Sequence, residues 1–373
     1  MIPWAIWNFP LWLAYPTPES GALDNPACII WSKLFLVLCL IISCYLIKEL
    51  SMRITNDSMI SGYSFLLSLS AGTAIISVGY AGQNEIVYIT TFLAGIYSYI
   101  QGHKILSACF IVFTMGSFPL LVIPLALILF ADNYGLIKTI VIAAVMLIIG
   151  MIVFGIGGSS DSSTSLLTYI EKFFFSTPIT LDAGTISLFM VSIVLIVFFC
   201  ILRIREYNVD SAIVCVTIFF TSMMMFCWMM FYRYYVCIPA IVISLMLLYK
   251  TDRNLFKIGL LTFTLINYLS CLVACRNIYV WDYLSFQGLL SNYLVYDYPD
   301  NFLWLLLGSN AITGMDLIYS ALIAVCIFYL YLLVVKPLEC KEIEINEKIL
   351  VLVNAMCPLV LIALYFLVPL VAG

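Results

Sequence analysis

Long apolar runs return along the whole of this sequence, each about 17–25 residues, the length a helix needs to cross the hydrocarbon core of a bilayer. They do not alternate polar with apolar residues, as the strands of a membrane barrel do. Composition points the same way. The chain is 64% hydrophobic and 10% charged, whereas soluble domains carry roughly 25% charged residues. The fold class expected is therefore all-α, a polytopic transmembrane helical bundle of about 10–12 spans, each satisfying its own backbone groups.

The spans read from the sequence are 28–47, 59–79, 84–100, 105–131, 139–157, 184–202, 211–231, 235–250, 256–275, 303–335 and 348–370. Two are ambiguous. The 105–131 run carries Pro119 and Pro124 and reads either as a broken helix or as a hairpin of two half-helices. The 303–335 run includes Gly308, Ser309, Asn310 and Asp316, which suit an interfacial first part.

Orientation depends on where Lys and Arg sit, not on the net charge of −4. The basic residues gather in five loops, at Lys48 and Arg53, at Lys104, at Arg203 and Arg205, at Lys250, Arg253 and Lys257, and at Lys336, Lys341 and Lys348. All five are cytoplasmic together only if 105–131 enters and leaves on one side, which favours the hairpin. Segments 1–27, 80–84, 158–183 and 276–302 then face outward, with the N-terminus outside. The segment IPWAIWNFPLWLAY holds Pro3 and Pro10 and is too short to span. It also lacks the charged start and cleavage site of a signal peptide. The expectation is a re-entrant segment, or a first helix preceding this sequence.

Polar residues inside or beside the runs are the functional candidates, because charge is expensive there. Lys33 lies one turn into the first span and reads either as a snorkelling side chain or as a fixed cation. In VGYAGQNEIVY, Glu85 opens a helix whose dipole favours an acidic residue, and Gln83 and Asn84 suit caps of the same helix. Arg233 stands among Tyr232, Tyr234 and Tyr235. It reads as an interfacial anchor, or as a guanidinium whose planar fork of donors takes phosphate. The outer segments add Glu19, Asp24, Asp161, Asp182, Asp282, Asp297 and Asp300. None stands out as a general base from its surroundings.

Thirteen cysteines are scattered through apolar runs. Cys271 and Cys275 share a helix face, but small polarizable packing residues are the plainer reading. No CxxC pair or His-rich tract calls for a metal, and His103 suits a short loop. The stretch GIGGSSDSS lacks the pattern of a nucleotide-binding loop and reads as a flexible loop.

Taken in order, several segments resemble the GT-C class of integral-membrane glycosyltransferases, in particular bacterial mannosyl- and glucosyltransferase-like members that use lipid-linked sugars. GQNEIVYITTFLAGIYSYIQGHKILSACFIVF is similar to their Gly-Gln-x-Asp turn, helix and short basic turn. WSKLFLVLCLIISCYLIKEL resembles the helix before it, and FYRYYVCIP resembles a His-Glu-Arg-Tyr motif followed by Pro. STPITLDAGTISLF is similar to an outer loop before the next helix. The likeness covers most of the chain to about residue 275, so that 1–27 is an outer N-terminal segment, 28–275 a GT-C-like core, and 276–373 an outer loop with C-terminal helices, all in one transmembrane domain.

The sequence departs from the pattern at named places. Glu85 stands for Asp, Phe231 and Tyr232 stand for His and Glu, and FTMGSFPLLVIP lacks the family's Lys and Gln. The family's catalytic Asp lies in a first outer loop, of which NFPLWLAYPTPESGALD resembles only the later part. Asp24 and Glu19 are the carboxylates there and the candidate catalytic bases.

The resemblance implies transfer of a hexose from a polyprenyl-phosphate sugar to a glycan, lipid or protein acceptor on the outer face of a bacterial inner membrane. Arg233, Tyr234, Gln83, Glu85 and Lys33 would bind donor phosphate and sugar, with no cofactor, no metal and no nucleic-acid partner. Two other readings stay open, a catalytically degenerate GT-C relative and a lipid-linked glycan polymerase or flippase. A secondary transporter is disfavoured by the lack of paired repeats with matching broken helices.

Overall fold

The computed structural model describes residues 2–16, 25–80, 82, 85–117, 122–132, 134–155, 178–181, 184–187, 191, 194, 198, 237–269 and 344–372. Helix dominates. The helix α2, Pro26–Thr55, starts where Asn25 Oδ1 accepts from the Ala27 amide (3.0 Å) and Pro26 fills a position that needs no N–H. It stops at Asn56, whose φ of 54° is left-handed. At 30 residues it is about 45 Å long and overruns the expected 28–47 by two turns. Charges at Lys48, Glu49 and Arg53 mark the boundary of the apolar run, but they do not break a helix.

Before it, α1, Ile2–Ala14, packs on the first turns of α2. Trp7 and Trp31 stack with centroids 4.8 Å apart, and each indole N–H donates to the other's carbonyl (2.8 and 3.1 Å). Ser32 donates to Asn8 (2.8 Å) and Asn25 donates to Tyr15 (3.0 Å). Later residues of α1 thus meet earlier residues of α2, and the two run antiparallel. Thirteen residues reach about 20 Å, short of a crossing, as the sequence predicts.

The expected 59–79 span is bent. The helix α3, Ser58–Leu69, is capped by Asp57, whose carboxylate accepts from Met59 N (2.8 Å) and Ile60 N (3.3 Å). It breaks at Ser70 and Ala71. The helix α4, Gly72–Ala74, continues as a π-helical stretch, Ile75–Tyr80, with a 44° bend between the halves. The local causes are visible. Ser64, Ser68 and Ser77 bond back to carbonyls of the preceding turn, which loosens the helix ladder, and Gly72 sits at the restart.

The helix α5, Glu85–Ile100, runs parallel to α2. Ser43 and Thr90 share a hydrogen bond (2.8 Å), and Thr90 also donates to Cys39 O (3.0 Å). Small residues permit the close packing that holds helices together when lipid supplies no hydrophobic contrast. Gly95 does the same against the next helix, since a Cβ there would lie 2.7 Å from Ile111 Cγ1.

The ambiguous 105–131 run is two half-helices, α6, Lys104–Ser117, and α7, Val122–Ala131. The start of α6 and the residues just after α7 come together. Tyr99 donates to the Asp132 carboxylate, and Lys104 Nζ donates to Tyr134 (2.9 Å) while lying over its ring. Ile111 and Met115 pack with Leu125 and Leu129. A straight helix of this length would hold its ends about 40 Å apart, so the run is a hairpin that starts and finishes at one end of the bundle.

Next, α8, Leu136–Gly150, continues through a π turn, Met151–Gly155. Ile137, Ile140, Val141, Val145, Ile148 and Ile152 are all exposed on it. An outward apolar face suits a lipid solvent. Segments Ala27–Thr55 and Leu136–Val153 are long and apolar enough to cross a membrane, and the bent α3–α4 pair counts as a third if it is one span.

One correction to the all-helical expectation follows. Residues 184–187 do not begin a helix. Strands β1, Pro178–Leu181, and β2, Gly184–Ser187, pair antiparallel, Pro178 with Ser187 through Leu181 with Gly184. Alternating Thr and Ile in PITL and GTIS suit a pleated pair better than a helix start. Helical residues reappear at 191, 194 and 198.

The helix α9, Cys237–Thr251, packs on α2 and α3. Asp252 then caps α10, over 253–269, by accepting from Asn254 N (2.7 Å). The last helix, α11, is Glu347–Ala372. Leu36, Ile47, Leu67, Ile96, Val242, Phe256 and Phe263 form the buried centre. Expected spans 211–231 and 303–335 lie outside the described residues.

The described basic loops meet at one end, while Arg203, Arg205, Lys336 and Lys341 lie outside the described residues. Lys257 pairs with Glu347 (3.6 Å), Arg253 donates to Tyr249 (3.2 Å) and feels the charges of Glu347 and Asp57, and Ser61 donates to Lys48 O (2.8 Å). The Lys104 turn follows α5, which runs in the same direction as α2, and so belongs to this end too.

Candidate functional site

The opposite end of the bundle holds the turn between α4 and α5. Gly82 adopts φ +62°, a left-handed conformation that glycine takes without penalty. Its open face looks at Lys33, for a Cβ built on Gly82 would stand 3.7 Å from Lys33 Cε. The end of the alkyl stem of a first-span lysine therefore lies beside Gly82, which stands three positions before Glu85 in the sequence. Lys33 is half-buried, and so is Glu85 in the first turn of α5. Neither stands free.

This juxtaposition has structural causes. The cap at Asn25 sets the phase of α2, and α5 is fixed against α2 by the Ser43–Thr90 contact. Lys33 and Ser43 are ten positions apart, about 2.8 helical turns, so they lie roughly 80° from each other around α2. The α5 partner of Ser43 lies five residues below Glu85. Lys33 is thereby delivered to the start of α5. A cation and a carboxylate at one helix entrance can orient an anionic or polyhydroxylated ligand.

Of the residues expected to form a site, Lys33 and Glu85 are placed, and both belong to the same end of the bundle. Asp24, Glu19, Gln83, Arg233 and Tyr234 lie outside the described residues, as do Cys271 and Cys275. His103 is exposed, and its carbonyl accepts from Ser107 N (3.0 Å) at the entry to α6. Among the described residues, no three of His, Cys, Asp and Glu gather as a metal site.

A second polar cluster was not anticipated. Two asparagines from different helices converge on the α3–α4 break. From α11, Asn354 Nδ2 donates to Ser70 Oγ (2.7 Å) and Leu67 O (3.4 Å). From α10, Asn267 Oδ1 accepts from Thr73 Oγ1 (3.3 Å). Tyr268 donates to Val353 O (3.1 Å) and ties those helices beside the break. Asn354 is fully buried, and its Oδ1 has no hydrogen-bond partner among the described residues. The signal in the sequence was a single amide inside each of two apolar runs, TLINYL and LVNAMC. Weighing charges alone passes over it.

The chain matches no family model, no curated protein and no solved structure.

Proposed function

We propose that the chain is a multi-pass membrane glycosyltransferase that moves a hexose from a polyprenyl-phosphate sugar to a glycan, lipid or protein acceptor on the outer face of a bacterial inner membrane. The observation that carries the reading is Lys33 beside Gly82, three positions before Glu85 at the start of α5, at the end away from the basic loops. The likeness of the surrounding residues to the GT-C pattern supports it, and so does the positive-inside rule, which assigns the basic end to the cytoplasm.

The chemistry is balanced without further reagents. The acceptor hydroxyl attacks the anomeric carbon, the bond from that carbon to the phosphate oxygen breaks, and the hydroxyl proton passes to a carboxylate, with Asp24 and Glu19 as candidates. Arg233, with Tyr234 beside it, and Lys33 offset the charge gathering on the departing polyprenyl phosphate. Gln83 and Glu85 orient the sugar. A lipid donor enters sideways from the bilayer, so a site at the membrane edge fits its substrate.

The test is transfer from radiolabelled polyprenyl-phosphate hexose in membranes carrying the wild type, Arg233→Ala or Glu85→Gln. Each variant is expected to lose activity by about 10²-fold or more, as when a transition-state contact is removed, with membrane insertion unchanged. Full activity in both variants would overturn these assignments. A well-inserted wild type without activity on any donor would favour the degenerate relative.

The α3–α4 break with its two asparagines favours one other reading, a secondary transporter, since broken helices with polar side chains at the break hold transported solutes and ions. Solute uptake into vesicles that persists in Arg233→Ala and stops in Asn354→Leu would select it.

A further inference from the structure

A cavity of about 300 Å³ lies between α3 and α11, lined by Leu66, Leu69, Ser70, Lys348, Val351, Leu352 and Ala355. Its walls are aliphatic, with Leu66 and Leu352 exposed on its two rims at 48% and 62%. At one end the hydroxyl oxygen of Ser70 accepts from Asn354 Nδ2 (2.7 Å), and Ser70 is the one hydroxyl among the lining residues. At the other end stands Lys348, on the first turn of α11 and at the basic end of the bundle.

Lys348 is the notable feature. Its neighbour Glu347 is committed across the helices to Lys257 (3.6 Å). Lys348 is exposed, and its ammonium makes no ion pair or hydrogen bond among the described residues. The start of α11 adds the positive end of a 26-residue helix. An aliphatic groove headed by an uncommitted ammonium at a membrane boundary is complementary to one kind of molecule, a hydrocarbon chain joined to an anion. A volume at the small end of ligand pockets suits one unbranched acyl segment better than a thicker, branched isoprenoid.

We propose that this groove holds one acyl chain of an anionic glycerophospholipid of the inner leaflet, whose phosphate rests on Lys348. The site lies at the end of the bundle opposite the Gly82 turn and does not depend on the transferase reading. Binding there links α11 to α3 immediately below the helix break, so lipid occupancy steadies the bend as well as the surface.

The experiment is native mass spectrometry of the detergent-purified chain, titrated with phosphatidylglycerol and, separately, with phosphatidylcholine of the same acyl composition. Wild type is expected to retain phosphatidylglycerol preferentially, at one per chain. Lys348→Gln should cut that retention about fivefold, the worth of one lysine near a charged lipid surface. It should leave phosphatidylcholine unchanged, while Lys348→Arg should restore the preference. Leu69→Trp, or Leu352→Trp at the exposed rim, fills the groove and should lower retention of both lipids.

Equal retention of the two lipids by the wild type would overturn the proposal, as would a preference that survives Lys348→Gln. Undiminished retention in both tryptophan variants would place the lipid elsewhere. Displacement of phosphatidylglycerol by equimolar polyprenyl phosphate would reassign the groove to an isoprenoid and overturn the phospholipid assignment.

Discussion

Three glycines sit in three different environments, and their substitutions separate backbone strain from crowding. At Gly82 the conformation is left-handed and a Cβ would meet Lys33 only at an ordinary 3.7 Å. Gly82→Ala should therefore cost about 1–2 kcal/mol through backbone strain alone, and it should displace the turn that carries Gln83 and Glu85. The readout is a lowered melting temperature together with reduced transfer. At Gly95 the backbone is helical and the fault is space, since Ile111 Cγ1 lies 2.7 Å from the added carbon. Gly95→Ala should cost about 1–3 kcal/mol as α5 and α6 are pushed apart. Gly62, on α3, has nothing within 4 Å, so Gly62→Ala should stabilise by roughly 0.5–1 kcal/mol through helix propensity. A thermal series on the detergent-solubilised chain checks all three signs. An equal loss in Gly62→Ala and Gly95→Ala would refute the close approach of α5 and α6.

At the scale of elements, the α6–α7 hairpin makes the sharpest prediction. Lys104 opens it and Lys138 follows it, and both are exposed. Lys104→Cys and Lys138→Cys should be modified by a membrane-impermeant thiol reagent from the same side of sealed vesicles, with sites assigned by peptide mass because Cys109 is also exposed. Modification from opposite sides would mean that the run crosses. This element was half legible in the sequence. Two prolines and a charge-parity argument favoured a hairpin, but the Tyr99–Asp132 and Lys104–Tyr134 contacts that close it join residues about 30 apart, beyond any local pattern. The helix ends at Asn25, Asn56 and Asp57 are written in capping chemistry, and α2 outruns its apolar run because Lys48, Glu49 and Arg53 fit within a helix. The break at Ser70 was missed for another reason. Hydropathy is blind to serines that bond back to their own helix, and equally to an asparagine arriving from 287 positions away. In the candidate site, Lys33 and Glu85 were singled out as costly charges. Their shared location depends on the phase between α2 and α5, which Ser43 and Thr90 set, and neither residue looks remarkable in the sequence.

For the whole molecule, sidedness is the property on which the proposed activity turns. Lys48, Arg253, Lys257, Lys348 and the Lys104 turn share one end, and Lys33 and Gly82 share the other. If the basic end faces the cytoplasm, α11 runs outward from Glu347. A green fluorescent protein fused after Gly373 should then be dark in a bacterial host, and alkaline phosphatase fused there should be active. A bright fluorescent fusion would invert the assignment and put the Gly82 turn on the side where nucleotide sugars, not lipid-linked ones, are abundant.

The hairpin also bears on how the chain is made. Neither half-helix is a good insertion signal alone, for α6 has 14 residues and α7 has 10, while a span needs about 20. As the nascent chain leaves the ribosome, each half arrives as a segment too short for the translocon to release into lipid. The hairpin therefore has to be taken up as one unit, after α5 has presented Gly95 for α6 to dock against and with α8 emerging behind it. Synthesis halted shortly after residue 131 should leave this unit outside the bilayer and marked for proteolysis. The burden on quality control thus falls on the middle of the chain.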